Sequence, residues 1–325
     1  MRLLKDNDFK TFEQICGLTQ NGLKKTMSAF LSKKYEKIIE TDDYLVAVGE
    51  IPIALVAHLD TVFAYPTKEV YYDRQKNVIF SPEGLGADDR AGVFAIIQII
   101  RSGLRPSIIL TTDEEKGVVG AAKLASIPCP IPDLRYIIEL DRRGANDCVF
   151  YDCYNTDFIT YIEEFGFAEA IGSFSDISMI CPAWGVAGVN LSIGYRDEHS
   201  ISEVLFVDHM MCTIRKVMKM LSETDIPNFV YIEDPRSSGW RKWYRVLGPA
   251  ETESETKCVI CGKEYAHDEL IPVNALDGSV KYYCIDCITG RVNWCHSCGE
   301  AYEVADTNKN SNLCEDCWYD FYYSY

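Results

Sequence analysis

Four short apolar runs constrain this chain more than any other feature: residues 51–57 (IPIALVA), 107–112 (SIILTT), 136–140 (YIIEL) and 186–193 (VAGVNLSI). Each is short, rich in β-branched residues and bounded by polar or Gly/Pro positions, which is the pattern of an interior strand. Residues 44–48 add a further strand, joined to 51–57 through Gly49 and Glu50, and residues 70–80 fit a hairpin. Helical composition alternates with these runs. Residues 9–40 are helix-compatible with Lys-rich faces, GLGADDRAG (84–92) opens an apolar helix at 93–100, and 208–221 has the spacing of a closing amphipathic helix. Strands alternating with helices predict an α/β three-layer sandwich with a mixed, mostly parallel central sheet. In such sheets sites gather outside the carboxyl ends of the strands.

Groups that bind metals or move protons follow those runs: His58 after the first, Glu114 and Glu115 after the second, Asp141 after the third and His199 after the fourth. Asp88 instead precedes a helix, where free backbone N–H groups favour an acidic side chain. A pair of divalent ions can share the making of a nucleophile and the polarising of a carbonyl. Such a site needs imidazole and carboxylate ligands, a carboxylate common to both ions and a free base. VAHLDTV supplies His58 as ligand and Asp60 to orient its ring. GADDRAG supplies Asp88 as the bridge, TDEEKG supplies Glu114 as base and Glu115 as ligand, IELDRR supplies Asp141, and RDEHSISE supplies His199. Each piece alone has a plainer reading, such as a satisfied His–Asp pair, a solvated helix start or an exposed acidic turn. Their order and contexts together carry the inference.

With these motifs the chain resembles the co-catalytic di-zinc exopeptidases. That superfamily includes bacterial leucyl aminopeptidase, glutamyl and tripeptide aminopeptidases and the acylamino-acid deacetylases. The resemblance runs through residues 40–222 and implies the zinc-exopeptidase fold. It further implies one zinc on His58, Asp88 and Asp141 and another on Asp88, Glu115 and His199. Glu114 would take a proton from the bridging water and deliver it to the leaving amine. Ser175 and Asp176 match the Ser/Thr-Asp pair that precedes the last histidine in the family, which gives Asp176 a supporting role. Mixed imidazole and carboxylate ligands also accept Co2+ or Mn2+ in place of Zn2+. One departure matters: the gaps 58–88 and 141–199 are too short for the extra lid or dimerisation domain that family members often insert. Arg142, Arg143 and Arg196 are candidates to clamp a substrate carboxylate, and Tyr195 is a candidate donor to a developing oxyanion. Surface ion pairs and a core tyrosine are the plainer alternatives for these four.

The tail is a different kind of sequence. Eight of the 14 cysteines form four Cys-x-x-Cys pairs after position 257. CVICGKEY…YCIDC is repeated as CHSCGEAY…LCEDC, so Cys258, Cys261, Cys284 and Cys287 recur as Cys295, Cys298, Cys314 and Cys317. Four thiolates at this spacing make a tetrahedral structural zinc site, and the glycine after each first pair lets backbone N–H groups approach sulfur. The duplication favours sequential pairing within each copy, with a cross-braced arrangement of alternate pairs as the alternative. The resulting division is a catalytic domain at 1–232, a linker at 233–257 and a tandem zinc-ribbon domain at 258–325, with units at 258–287 and 295–317. Full loading would be two catalytic and two structural zinc ions.

The net charge of −17 opposes binding to nucleic acid or anionic membranes. A basic aromatic cluster in the linker (Arg236, Trp240, Arg241, Lys242, Trp243, Arg245) is the local exception, read as packing on the acidic core. The first residues lack a signal-type apolar region and the greasy stretch at 93–100 cannot span a bilayer, so a cytoplasmic protein is expected. The reading is a zinc metallopeptidase of aminopeptidase type acting on a peptide or small amide, with a protein partner for the ribbons and homo-oligomer formation left open. Its rivals are a deacylase of N-acyl amino acids and an inactive homologue that works as an interaction protein.

Overall fold

The computed structural model of the protein describes residues 3–172, 174–233, 256–265, 270–274, 280–284, 287, 292–294 and 301–303. The chain falls into two compact units, Met1–Ser237 and Ser238–Tyr325. Among the described residues no helix is long and apolar enough to cross a membrane.

The first unit opens with α1 (Asp6–Cys16), α2 (Gln20–Leu31), β1 (Lys37–Glu40), β2 (Tyr44–Val48) and β3 (Ile51–His58). It continues with β4 (Tyr71–Asp73), β5 (Val78–Phe80), α3 (Ala87–Arg101), β6 (Pro106–Thr111), α4 (Val119–Ala125), β7 (Tyr136–Arg142) and β8 (Asp147–Val149). It closes with α5 (Thr156–Glu164), β9 (Ala168–Glu169), α6 (Asp176–Trp184), β10 (Gly188–Ser192), β11 (Tyr195–Arg196), β12 (Val204–Phe206) and α7 (Val207–Leu221). An eight-stranded sheet runs in the order β1-β2-β6-β3-β7-β10-β8-β9. Its centre, β6-β3-β7-β10, is parallel, while β1, β2 and β8 are antiparallel to their inner neighbours. This is the expected mixed, mostly parallel α/β sheet.

Strand alternation explains the three layers. Along β3, Ile53, Leu55 and Ala57 face one core, shared with α1, α3 and α7, while Ala54 and Val56 face a second core with α4 and α6. β7 divides in the same way, with Tyr136, Ile138 and Leu140 against Ile137. Both faces are covered, so the strands read as continuous apolar runs. Gly92 sets the spacing of α3 on the sheet, since a Cβ there would lie 2.5 Å from the Leu140 carbonyl oxygen. The hairpin expected at 70–80 forms as β4–β5, and β11 and β12 extend it into a small antiparallel sheet.

One expectation needs correction. Residues 9–40 are not helical throughout: α1 and α2 are separated at Gly17–Thr19, where the Thr19 hydroxyl accepts the Gly22 N–H at 3.1 Å. Residues 37–40 form β1, paired with β2 in the register Ile38↔Ala47. The adjacent β-branched Ile38 and Ile39 suit a sheet edge, and cross-strand pairing overrides the helix-compatible charge pattern.

In the second unit β13 (Thr256–Lys257) and β14 (Glu264–Tyr265) form a hairpin. β15 (Leu270–Asn274), β16 (Val280–Cys284), β17 (Val292–Trp294) and β18 (Ala301–Glu303) form a four-stranded sheet in the order β16-β15-β18-β17. The sequence duplication is visible in the backbone pairing. Thr256↔Tyr265 and Lys257↔Glu264 in the first copy correspond to Asn293↔Tyr302 and Trp294↔Ala301 in the second. Cys295, Cys298, Cys314 and Cys317, and the basic aromatic cluster of the linker, lie outside the described residues.

Candidate metal centre

His58, Asp88, Glu114, Glu115, Asp141 and His199 converge at the carboxyl end of the parallel strands. His58 ends β3, opposite Thr111 at the end of β6, and Asp141 lies at the end of the adjacent β7. The ring of His58 is sandwiched between carboxylates, with Nδ1 3.3 Å from Asp60 Oδ1 and Nε2 3.0 Å from Asp88 Oδ1 and 3.6 Å from Asp141 Oδ1. The other Asp88 oxygen, Oδ2, is 3.2 Å from His199 Nε2, which is 3.0 Å from Glu115 Oε1. Asp88 therefore turns one oxygen to each histidine. Two donor groups result, His58–Asp88–Asp141 and Asp88–Glu115–His199, each with its ligand atoms within 4.8 Å of one another, and a third grouping joins His58 with Glu114 and Glu115.

Local structure explains how each donor is held. Asp60 accepts the N–H groups of Glu114 and Glu115 at 3.0 and 3.1 Å, so the carboxylate that contacts His58 also fixes the Glu-Glu turn. Asn190 on β10 grips the Asp141 backbone from both sides, accepting its N–H at 3.0 Å and donating to its carbonyl at 2.8 Å. The Asp88–Asp89 peptide is cis, and both residues depart from helical φ/ψ. The two aspartates divide the work differently from the expectation that Asp88 meets the helix N-terminus. Asp89 accepts the Gly92 N–H at 2.8 Å and caps the regular part of α3. Asp88 is thereby left to face the histidines.

The charge balance shows why cations suit this centre. Burial, together with Asp88, pushes Asp141 up to about 8. Burial and the carboxylates of Asp141, Asp176 and Glu115 push Glu114 up to about 9. His199 is pushed up to about 11 by Asp88 and Glu115. Burial opposes charge on His58, but Asp141 and the contacts to Asp60 and Asp88 hold its pKa well above the usual value. Protons thus occupy a crowded set of carboxylates whose repulsion a divalent ion would relieve. Glu115 Oε1 is buried and has no hydrogen-bond partner despite its 3.0 Å approach to His199.

The remaining candidates are placed as follows. The Tyr195 hydroxyl donates to Asp141 Oδ1 at 3.0 Å, so its proton is already directed at a proposed ligand. Asp176 is fully buried at the start of α6 and accepts a hydrogen bond from the Thr111 hydroxyl. Arg143 pairs with Glu198 at 2.8 Å, Arg142 donates to the Ile171 carbonyl at 3.0 Å, and Arg196 lies over the Phe206 ring. Two buried carboxylates escaped the sequence reading. Glu139 on β7 accepts from the Ser175 hydroxyl at 2.5 Å, behind Asp141. Glu203 accepts the N–H groups of Gly86 and Asp88. The only sequence signal for either is an acid inside a motif already quoted, IELDRR or RDEHSISE, and only the fold shows what those acids touch.

In the second unit the thiols of Cys258, Cys261, Cys284 and Cys287 gather within 4.8 Å of one another, the sequential arrangement of the first repeat. Gly262, at φ +68°, donates to the Cys258 carbonyl at 2.9 Å and closes the knuckle. Against the effect of burial, N–H groups of Cys261, Cys284 and Ile260 lower the Cys258 thiol to about 6.

No protein-family model matches the chain, and no curated protein matches it in sequence. Solved structures do match. Aminopeptidase PepT from Bacillus cereus is 15% identical with a TM-score of 0.53, over 66% of this chain and 97% of that chain. A tripeptidase from Staphylococcus aureus is 15% identical with a TM-score of 0.53, over 67% and 97%. A TET aminopeptidase from a marine-sediment member of the Thaumarchaeota is 11% identical with a TM-score of 0.55, over 68% and 98%. The chain has the α/β fold of these aminopeptidases.

Proposed function

We propose that the protein is a two-metal amide hydrolase of the aminopeptidase type, releasing N-terminal residues from peptides. The observation that carries this reading is the pair of donor triads that share Asp88, with Glu114 beside them on the turn held by Asp60. His58, Asp88 and Asp141 would hold one cation, and Asp88, Glu115 and His199 the other. The bound cations would supply Lewis acidity to the substrate carbonyl and acidify the attacking water. Glu114 is the one carboxylate of the Glu-Glu pair left out of both triads, and it takes the water's proton and returns it to the leaving amine. Asp60 keeps His58 oriented through Nδ1 and keeps Glu114 on the same side of the centre. Tyr195 and Asn190 keep Asp141 aimed inward. The names of the matched structures, aminopeptidases and a tripeptidase, support peptides over other amides.

The four gathered thiols of the second unit support a structural zinc, and the repeated Cys pattern supports a second one. The function is tested by assaying aminoacyl-arylamides and short peptides beside N-acyl amino acids. Turnover of the first two is expected, and activity confined to the third would sink the peptidase reading in favour of a deacylase. Glu114→Gln should keep both cations yet lose a factor of about 100 to 10,000 in kcat. A variant with full activity would remove Glu114 from the chemistry.

A further inference from the structure

We propose that Glu203 is a positioning residue that ties the shared ligand Asp88 to the loop of His199 and thereby holds the second cation of the pair. This inference rests on the two-metal reading above. Glu203 has no exposed surface, and among the described residues it forms no ion pair with Lys, Arg or His. A buried carboxylate without a cationic partner is costly unless hydrogen bonds satisfy it. Here both oxygens are used: Oε2 accepts the Gly86 N–H at 2.5 Å and Oε1 accepts the Asp88 N–H at 3.0 Å. The carboxylate therefore clamps the 86–88 turn from both ends.

That turn needs a clamp. Gly86 sits at φ +65° and Asp88 at ψ 104°, so the backbone changes direction just where Asp88 must present one oxygen to each histidine. Glu203 lies four residues after His199. Its own N–H donates to the Ser200 carbonyl at 3.2 Å, which closes the short loop. Within that loop Asp197 and His199 both have positive φ, +57° and +60°. Such backbone persists only where surrounding contacts over-determine it. One carboxylate thus connects two of the three donors of the second triad, Asp88 and His199. None of its hydrogen bonds goes to His58, Asp141 or Glu115. Loss of the clamp should loosen the second cation, which loses the support of two donors, more than the first, which loses that of the shared Asp88 alone.

Glutamine tests this closely, because its amide keeps one acceptor oxygen and turns an NH2 donor toward the other N–H. Aspartate keeps the charge with a shorter reach. The full-length protein, with zinc left in the thiolate sets, is titrated with Mn2+, which favours oxygen and nitrogen ligands over thiolates. Binding is followed by electron paramagnetic resonance, in which two neighbouring Mn2+ ions give a spin-coupled signal. Wild type should bind a coupled pair. Glu203→Gln should weaken the second ion about 10- to 100-fold and the first ion less, losing the coupled signal at two equivalents. Glu203→Asp should recover part of the second affinity.

A Glu203→Gln protein with an unchanged coupled pair overturns the inference. So does an equal weakening of both ions accompanied by a lower melting temperature of the metal-free protein, the mark of a merely structural residue. Wild-type protein that binds no Mn2+ pair overturns the two-metal reading itself, and this inference with it.

Discussion

In the metal-free protein the crowded site should make folding stability fall as pH rises, and a divalent cation should remove that fall. Asp141 near 8, Glu114 near 9 and His199 near 11 all hold protons in the folded state that the unfolded chain releases at lower pH. A group with a raised folded pKa contributes stability that is complete below its unfolded pKa and is lost as pH climbs to the folded value. For the two carboxyls the window opens at about pH 4 and closes between about 8 and 9. For His199 it opens at 6.5. Asp141 and Glu114 repel each other as carboxylates, so one retained proton for the pair is the conservative count; His199 is half exposed and is assigned no energy. The slope between pH 6 and 7 is then about 1.4 kcal/mol lost per pH unit. For a folded unit of this size that corresponds to a Tm lower by about 3–6 °C at pH 7 than at pH 6. Metal binding releases these protons. Added Mn2+ should therefore raise Tm more at pH 7 than at pH 6. The measurement is a circular-dichroism melt of chelator-treated full-length protein at both pH values, with and without Mn2+. A metal-free Tm that holds or rises from pH 6 to pH 7, or a Mn2+ shift equal at both, would refute the reasoning.

Further outcomes follow from single contacts. Phe94 is fully buried and meets Phe12 edge-on at 5.6 Å, joining α1 to α3, so Phe94→Ala should cost about 3–5 kcal/mol in denaturant unfolding. A loss below about 1 kcal/mol would mean that α1 is not packed as described. Tyr195→Phe removes the hydroxyl on Asp141 and should weaken cation binding about tenfold in a metal titration. Unchanged affinity with a reduced kcat would instead return the phenol to the role of oxyanion donor. Cys258→Ser should lower the metal content of the full chain by one equivalent in elemental analysis, and an unchanged content would remove Cys258 from the thiolate set.

The alternation of short β-branched runs with amphipathic stretches settled the α/β class, because burial on both sheet faces leaves a pattern readable residue by residue. The convergence of the candidate donors was legible for a related reason. A chain that places His58, Glu115, Asp141 and His199 near strand ends delivers them to one edge of a parallel sheet. What the sequence left open depended on contacts between distant segments. β2 and β3 are separated by only Gly49 and Glu50, yet β6 is inserted between them in the sheet. Residues 37–40 became a strand because β2 offered a free edge, a fact absent from their own composition. In GADDRAG the sequence offers Asp88 as the shared ligand, and the packed turn shows how it is freed for that place: Asp89 caps the helix while Asp88 faces the histidines. Glu203 is an ordinary acid in a polar motif until the fold buries it against the 86–88 backbone. Periodicity and residue type determined which elements form and which side chains could hold metal. How those side chains are held and oriented came from tertiary structure alone, because it rests on hydrogen bonds between segments up to 117 residues apart.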